Sequence, residues 1–170
     1  MEEKTNAMRL LEQKKIKFQS HHLDITEALS GVEMADMLGQ NPAQVFKTLV
    51  TVGKTKTNYV FVIPVAEDLD LKKAAKCVGE KSIEMIKSKE LLPLTGYVHG
   101  GCSPIGMKKS LKTVLHETAR DFDSIIFSAG KIGYQVQMNA KDLEKVIRLG
   151  YGDLIVSYFR TIYSGRPAVP

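Results

Sequence analysis

Residues 95–109, TGYVHGGCSPIGMKK, gather the residue types from which a reactive loop is made. Cys102 follows His99 closely, and a thiol beside an imidazole base is a candidate nucleophile pair. Gly100 and Gly101 offer a second chemistry, because they tolerate positive φ and let a ligand approach the backbone while Pro104 stiffens the far side. Consecutive N–H groups in such a loop bind an anion or a carbonyl oxygen. A plain tight connection would use the same residues.

Lys47 is the other unusual residue. In VFKTLV, strand alternation puts Val45, Lys47 and Leu49 on one face. If that face turns inward, a cation sits among aliphatic neighbours and needs an anionic partner. A lysine snorkelling from a sheet margin is the alternative. The histidines, His21, His22, His99 and His116, have no ligand spacing, and Cys77 and Cys102 are far apart, so neither a metal site nor a disulfide is expected. Cys77 is expected to pack as a small apolar residue. Neither a GxGxxG nor a Walker sequence is present. Lys108, Lys109 and Lys112 after the loop, and Lys72, Lys73 and Lys76 on one helix, suit either phosphates or a solvated basic face.

These residues need a scaffold, and the patterning supplies one. Ala7, Met8 and Leu11 mark a first helix from Lys4 to about Lys15, followed by an extended IKFQSHHLDI. Ser30 with Glu33 forms a capping box for a helix with a Met34, Met37, Leu38 stripe, and Gly39 stops it. Asn41-Pro42 is a cap before VFKTLVTV, an interior strand that turns through GKTKT into NYVFVIPV as a hairpin. Asp70 caps a helix whose Leu71, Ala74, Ala75 and Val78 face inward while its lysines point outward, and Gly79 ends it. SIEMI and KTVLHE are strands, SKELLPL has a capping Ser88 and a disruptive Pro93, and SIIFSAGKIGYQVQM is a hairpin turning at AGKIG. Asn139 with Asp142 caps a last helix through about Arg148.

The chain has 170 residues, 44% of them apolar, which is enough for one sizeable core. Helices and strands interleave without a βαβ rhythm, which favours an α+β domain with a mixed sheet. One domain over residues 1–156 and a tail over residues 157–170 are expected. YVFVIPVA is too short to span a bilayer and MEEKTNAM is not signal-like, so a cytoplasmic protein without membrane contact is expected. A net charge of +5 is compatible with RNA and does not demand it.

Taken in order, VFKTLV, LDLKKAAKCVG, IEMI, TGYVHGGCSPIGMKKSLKTV, FSAGKIGYQVQM and DLEKVI resemble the YbaK/EbsC family of bacterial proteins, from about Lys4 to Ile155. The combination of F-K-T-L, L-D-L-K-K-x-A-K and T-G-Y-x-x-G-G-x-S-P-x-G is far more specific than one glycine loop. The resemblance implies a mixed, barrel-like sheet flanked by helices, akin to the editing insertion of prolyl-tRNA synthetases. It implies a trans-editing deacylase of mischarged aminoacyl-tRNA, chiefly Cys-tRNA(Pro), with no metal or other cofactor and no DNA partner, and with prolyl-tRNA synthetase as a possible associate. A proline pocket cannot strongly reject a smaller side chain of similar shape, so a second site must clear the error.

The family's pocket lysine matches Lys47, and its glycine loop matches Gly100, Gly101, Ser103 and Pro104, whose backbone would bind the ester carbonyl. On that reading the loop acts through its backbone and Cys102 is not a nucleophile. Ser128 matches a pocket serine. Leu23 stands where cysteine deacylases carry a tyrosine, Gln135 where some carry an aspartate, and Ala129-Gly130 and Gly130-Lys131-Ile132-Gly133 depart from the family hairpin; these bear on amino-acid preference. Lys108, Lys109 and Lys131 are weaker tRNA-binding candidates. The family mechanism for cysteine is substrate-assisted, its own thiol attacking the ester. The rivals are an alanine or serine deacylase on the same fold, and a non-enzymatic tRNA-binding regulator of the EbsC type.

Overall fold

Caps and alternation set the elements of the computed structural model, which describes residues 3–156. The Thr5 hydroxyl accepts the Met8 N–H and starts α1 (Asn6–Gln13), whose Ala7, Met8 and Leu11 are buried. β1 (Gln19–His22) follows, then α2 (Gly31–Met37) behind the complete Ser30/Glu33 capping box. β2 (Phe46–Gly53) and β3 (Asn58–Pro64) form the expected hairpin, with Lys56 taking φ 72 in its turn. α3 (Leu71–Val78), β4 (Ile83–Met85), α4 (Ser88–Thr95), β5 (Lys112–His116), β6 (Ile125–Ser128), β7 (Tyr134–Met138), α5 (Ala140–Leu143) and β8 (Leu149–Gly152) complete the order.

The strands make two sheets: antiparallel β1-β7-β6, and mixed β4-β2-β3-β5-β8, in which β3, β5 and β8 run parallel. Among the described residues no closed barrel forms. The sheets touch edge to edge at one parallel bridge, Val45 to Ile126. The larger core lies between them: Phe46, Val50, Val60, Val62 and Leu115 meet Phe127, Val136, Met138 and α1. The opposite face of the large sheet carries Tyr59, Phe61 and Ile63 against Ala74 and Ala75 of α3. β3 is therefore buried on both faces, which explains its unbroken apolar run. Each fully buried Phe61 or Ile63 contributes about 1.5–3 kcal/mol to the fold.

Several local expectations are corrected. Pro93 lies inside α4 and does not stop it, and Lys87 rather than Ser88 precedes the helix, its N–H held 2.9 Å from the Glu90 carboxylate. The last helix spans only Ala140–Leu143, because the chain must turn to lay β8 beside β5. Ala74 and Ala75 let α3 approach the sheet closely, leaving Leu71 at its start 41% exposed, and Cys77 is exposed as a residue although its Sγ lies against Gly152 of β8. Met37 of the α2 stripe is 60% exposed. Lys73 turns back rather than outward: its Nζ lies 2.9 Å from Asp153 and also donates to the Ile155 carbonyl. No helix among the described residues is long and apolar enough to cross a membrane. The boundary expected after residue 156 falls at the edge of the described residues.

Candidate active site

The bridge between the sheets is where the main cavity begins. From Val45 and Ile126 the two strands run on in the same direction without further pairing. One position on, Phe46 and Phe127 are both buried in the core. The next position brings Lys47 and Ser128, both of which line a cavity of about 540 Å³. This volume lies within the usual range for small-molecule sites. Alternation does more than aim side chains. The Val45 carbonyl accepts from Val65 on the β3 side and the Val50 carbonyl from Ile86 on the other, so Phe46 and Thr48 turn their backbone groups away from β3, to the side where β6 meets the strand.

Lys47 is half-buried; with Val45 and Leu49 it is on the face of β2 opposite the one that sends Phe46 and Val50 into the core between the sheets, and residues of both faces line the cavity. Thr48 follows it, and its buried hydroxyl has no hydrogen-bond partner among the described residues. The opposite wall is built by Ala28, Leu29, Gly31 and Met34 at the start of α2. Lys87, Ser88 and Leu91 close one end and His99, Gly100 and Cys102 another. Sequence reasoning did not single out Thr48 or Lys87. Thr48 was visible only as the third letter of F-K-T-L, and Lys87 carried no signal beyond its charge.

Gly100 has φ 87, and a Cβ there would run into the Cβ of Ala28. Gly101 lies outside the lining, where a Cβ would come 3.2 Å from the Ile132 N, so its bareness lets the loop press on the β6–β7 turn. Tyr97 anchors the loop by donating its hydroxyl to the Ile105 carbonyl. Ser103 is fully buried and accepts the Ile105 N–H at 3.2 Å, and Pro104 is buried beside it; neither lines the cavity. Burial pushes the Cys102 thiol up to about 12, leaving it protonated at neutral pH. A Cys102–His99 nucleophile pair is thereby disfavoured although both line the space.

Gln135 is 5% exposed and lines the cavity, and its amide exchanges hydrogen bonds with Gln40 at 2.7 and 3.3 Å. Ser128 accepts the Gly130 N–H at 3.1 Å. Leu23 is outside the lining; its N–H donates to the Gly133 carbonyl and places Ile25, which does line it. Lys131 pairs with Glu3 at 2.7 Å on the surface, while Lys108 and Lys109 are exposed. Of the other histidines, His21 bonds Gln137, His22 stacks on Tyr134, and His116 accepts the Leu154 N–H. Among the described residues no cluster of His, Cys, Asp and Glu is suited to a metal. The cavity can bind a carbonyl or phosphate oxygen near Lys47 and fix an acyl group beside it, without an activated nucleophile.

Residues 26–146 match the model of the aminoacyl-tRNA editing domain. A protein of Enterococcus faecalis (strain ATCC 700802 / V583) that carries the name Cys-tRNA(Pro)/Cys-tRNA(Cys) deacylase EbsC is 47% identical over 138 residues, 81% of this chain and 84% of that one. A solved structure named as a trans-editing enzyme for prolyl tRNA synthetase superposes with TM-score 0.75 at 24% identity, covering 89% of this chain and 98% of the other. The hypothetical protein APE2540 superposes with TM-score 0.78 at 17% identity, over 86% and 96% of the two chains. These two likenesses bear on the fold alone.

Proposed function

The chain belongs to the aminoacyl-tRNA editing domain family, and from that premise we propose that it clears cysteine mischarged onto tRNA(Pro), using the cavity between β2 and β6. It is an aminoacyl-tRNA deacylase, and its substrate is an aminoacyl-tRNA. The observation that carries the cysteine reading is a cavity that holds Lys47 and the Gly100 backbone and whose one thiol, Cys102, is protonated. Such a site favours a substrate that brings its own.

In the proposed reaction the cysteinyl Sγ attacks the ester carbonyl carbon and the bond to the ribose oxygen breaks. A thiolactone forms, the electron pair leaves on the ribose oxygen, and the thiol proton ends there. Lys47 holds a phosphate or carbonyl oxygen at the acylated end, and the loop backbone at Gly100 steadies the developing oxyanion, a contribution of position and electrostatics. Ser128 and Gln135 shape the amino-acid end. Gly101, Ser103, Pro104 and Leu23 hold the walls in place from behind. Lys108 and Lys109 contact the tRNA backbone, so binding weakens with salt. Action is in the cytoplasm, with prolyl-tRNA synthetase as the partner that supplies the mischarged product.

The test is deacylation of 3′-labelled Cys-tRNA(Pro), Cys-tRNA(Cys), Ala-tRNA(Pro) and Ser-tRNA(Pro) by wild type and Lys47→Ala. Loss of the cysteinyl esters alone, dependent on Lys47, is expected. Equal loss of alanyl or seryl esters would replace the thiol mechanism by attack of water. Binding of tRNA with no deacylation above the uncatalysed rate would leave only a regulatory role.

A further inference from the structure

The cavity's charge has one sign. Lys47 and Lys87 line it with His99 beside them, and among the described residues no carboxylate shares the lining. The acids of the surrounding elements are committed or outside. Glu33 of α2 accepts the Ser30 N–H at 3.0 Å and Glu90 of α4 accepts that of Lys87 at 2.9 Å. Asp24 and Glu27, in the segment before α2, are exposed and not part of the wall. From β7 come Gln135, a neutral amide closed onto Gln40, and Tyr134, a phenol that brings no carboxylate; from the hairpin turn the nearest cation, Lys131, is already paired with Glu3.

An aminoacyl ester carries an α-amine near its carbonyl. As an ammonium it would enter a space already positive, with no carboxylate to receive it, at a cost in both desolvation and repulsion. As a neutral amine it needs only an uncharged partner, such as the Gln135 side-chain amide. An α-amino group has an ordinary pKa of about 7.7–8.0, so the neutral form is abundant at physiological pH.

We propose that this site binds the aminoacyl group with its α-nitrogen uncharged, selecting the neutral amine over the ammonium. The inference rests on the deacylase reading and adds the charge state of the substrate to it.

The experiment compares two esters on the same tRNA, cysteine and 2-hydroxy-3-mercaptopropionate, which replaces the α-amine by a hydroxyl of similar size and keeps the thiol. Enzyme titrations cancel in the ratio of kcat/KM; the thiol titrations differ, because the α-ammonium acidifies the cysteine thiol, and are measured on the free esters and divided out, leaving the amine. With the full chain, the amine-to-hydroxyl ratio is expected to be within about threefold of one near pH 8.5. It should fall about tenfold per pH unit below the amine's pKa. A ratio that stays flat or rises as pH falls overturns the proposal. Gln135→Glu, checked for folding by its thermal transition, should restore acceptance of the ammonium and raise the ratio about tenfold near pH 6. A folded variant with the wild-type ratio counts against the proposal, and if the variant does not fold the wild-type profile decides. Failure of both esters to react would instead sink the deacylase reading itself.

Discussion

Replacing Gly100 by alanine should displace the loop at one end of the cavity, for two separable reasons. Its φ of 87 is unfavourable for any L side chain, by about 1–2 kcal/mol. The new Cβ would also collide with that of Ala28 on the facing wall, and overpacking of this kind costs about 1–3 kcal/mol. Gly100 is exposed and yields in part, so a net loss of about 2–3 kcal/mol is expected, or about 5–10 °C in Tm for a domain of this size. Removing the opposing methyl distinguishes the two causes: in Ala28→Gly the nearest remaining atom, Cα, is 3.6 Å from the added Cβ, an ordinary contact. The double variant should regain about 1–2 kcal/mol while the backbone strain persists. The assay is a thermal or urea transition on all four proteins of the cycle, with the deacylation rate of each. Because small displacements at a reacting centre are expensive, Gly100→Ala should lose at least about tenfold in rate and the double variant recover part of it. A wild-type Tm and rate in Gly100→Ala, or strictly additive effects, would refute the reasoning.

Three further outcomes are expected. Lys47→Ala should lower kcat/KM on the cysteinyl ester by about a hundredfold while changing stability little, since the side chain is half-buried on an open wall; unchanged kinetics would remove Lys47 from the site. Cys102→Ala should keep the wild-type rate within about threefold, and the native thiol should resist alkylation below about pH 10, because burial holds its pKa near 12; loss of activity would revive a thiol enzyme. His116 is 2% exposed, and burial pushes its pKa below the usual imidazole value against the pull of Asp153. The unfolded chain therefore takes up the proton first as pH falls, so stability present above about pH 6.5 is lost toward the lower folded value. The Tm of wild type should drop more steeply between about pH 7.5 and pH 5 than that of His116→Gln, and parallel curves would contradict this assignment.

Local features of this fold were written locally. The Ser30/Glu33 box, the Asn41 and Asp70 caps and the β2–β3 hairpin each follow from residues close in sequence, and each is present. Where the chain departs from its local pattern, a distant element decides. The last helix ends at Leu143 because β8 must reach β5, and Lys73 folds inward because Asp153 and the Ile155 carbonyl wait for it. The candidate site divides in the same way. Alternation put Val45, Lys47 and Leu49 on one face of β2, all three line the cavity, and of the loop's glycine pair Gly100, at positive φ, lines it while Gly101 does not. Nothing local could show that Ala28 faces Gly100 or that Gln40 closes onto Gln135, whereas the turn in which Ser103 accepts the Ile105 N–H is local.

The parallel bridge between Val45 and Ile126 accounts for why residues of F-K-T-L and F-S-A-G line one cavity although they are far apart in the chain. Strands leaving a parallel bridge together present equivalent positions side by side. The first position of each carries a phenylalanine, Phe46 and Phe127, which fills the core beneath, and the second carries a polar side chain, Lys47 and Ser128, which faces the opening. Had the pairing continued, the backbone groups of Thr48 would have been taken into a ladder with β6. Because pairing stops, the two strands edge a cleft of about 540 Å³ whose walls come from both sheets, the start of α2 and the glycine loop. A site of this construction holds an ester in place more readily than it supplies a reactive group, which is the condition under which a substrate carrying its own thiol is discharged fastest.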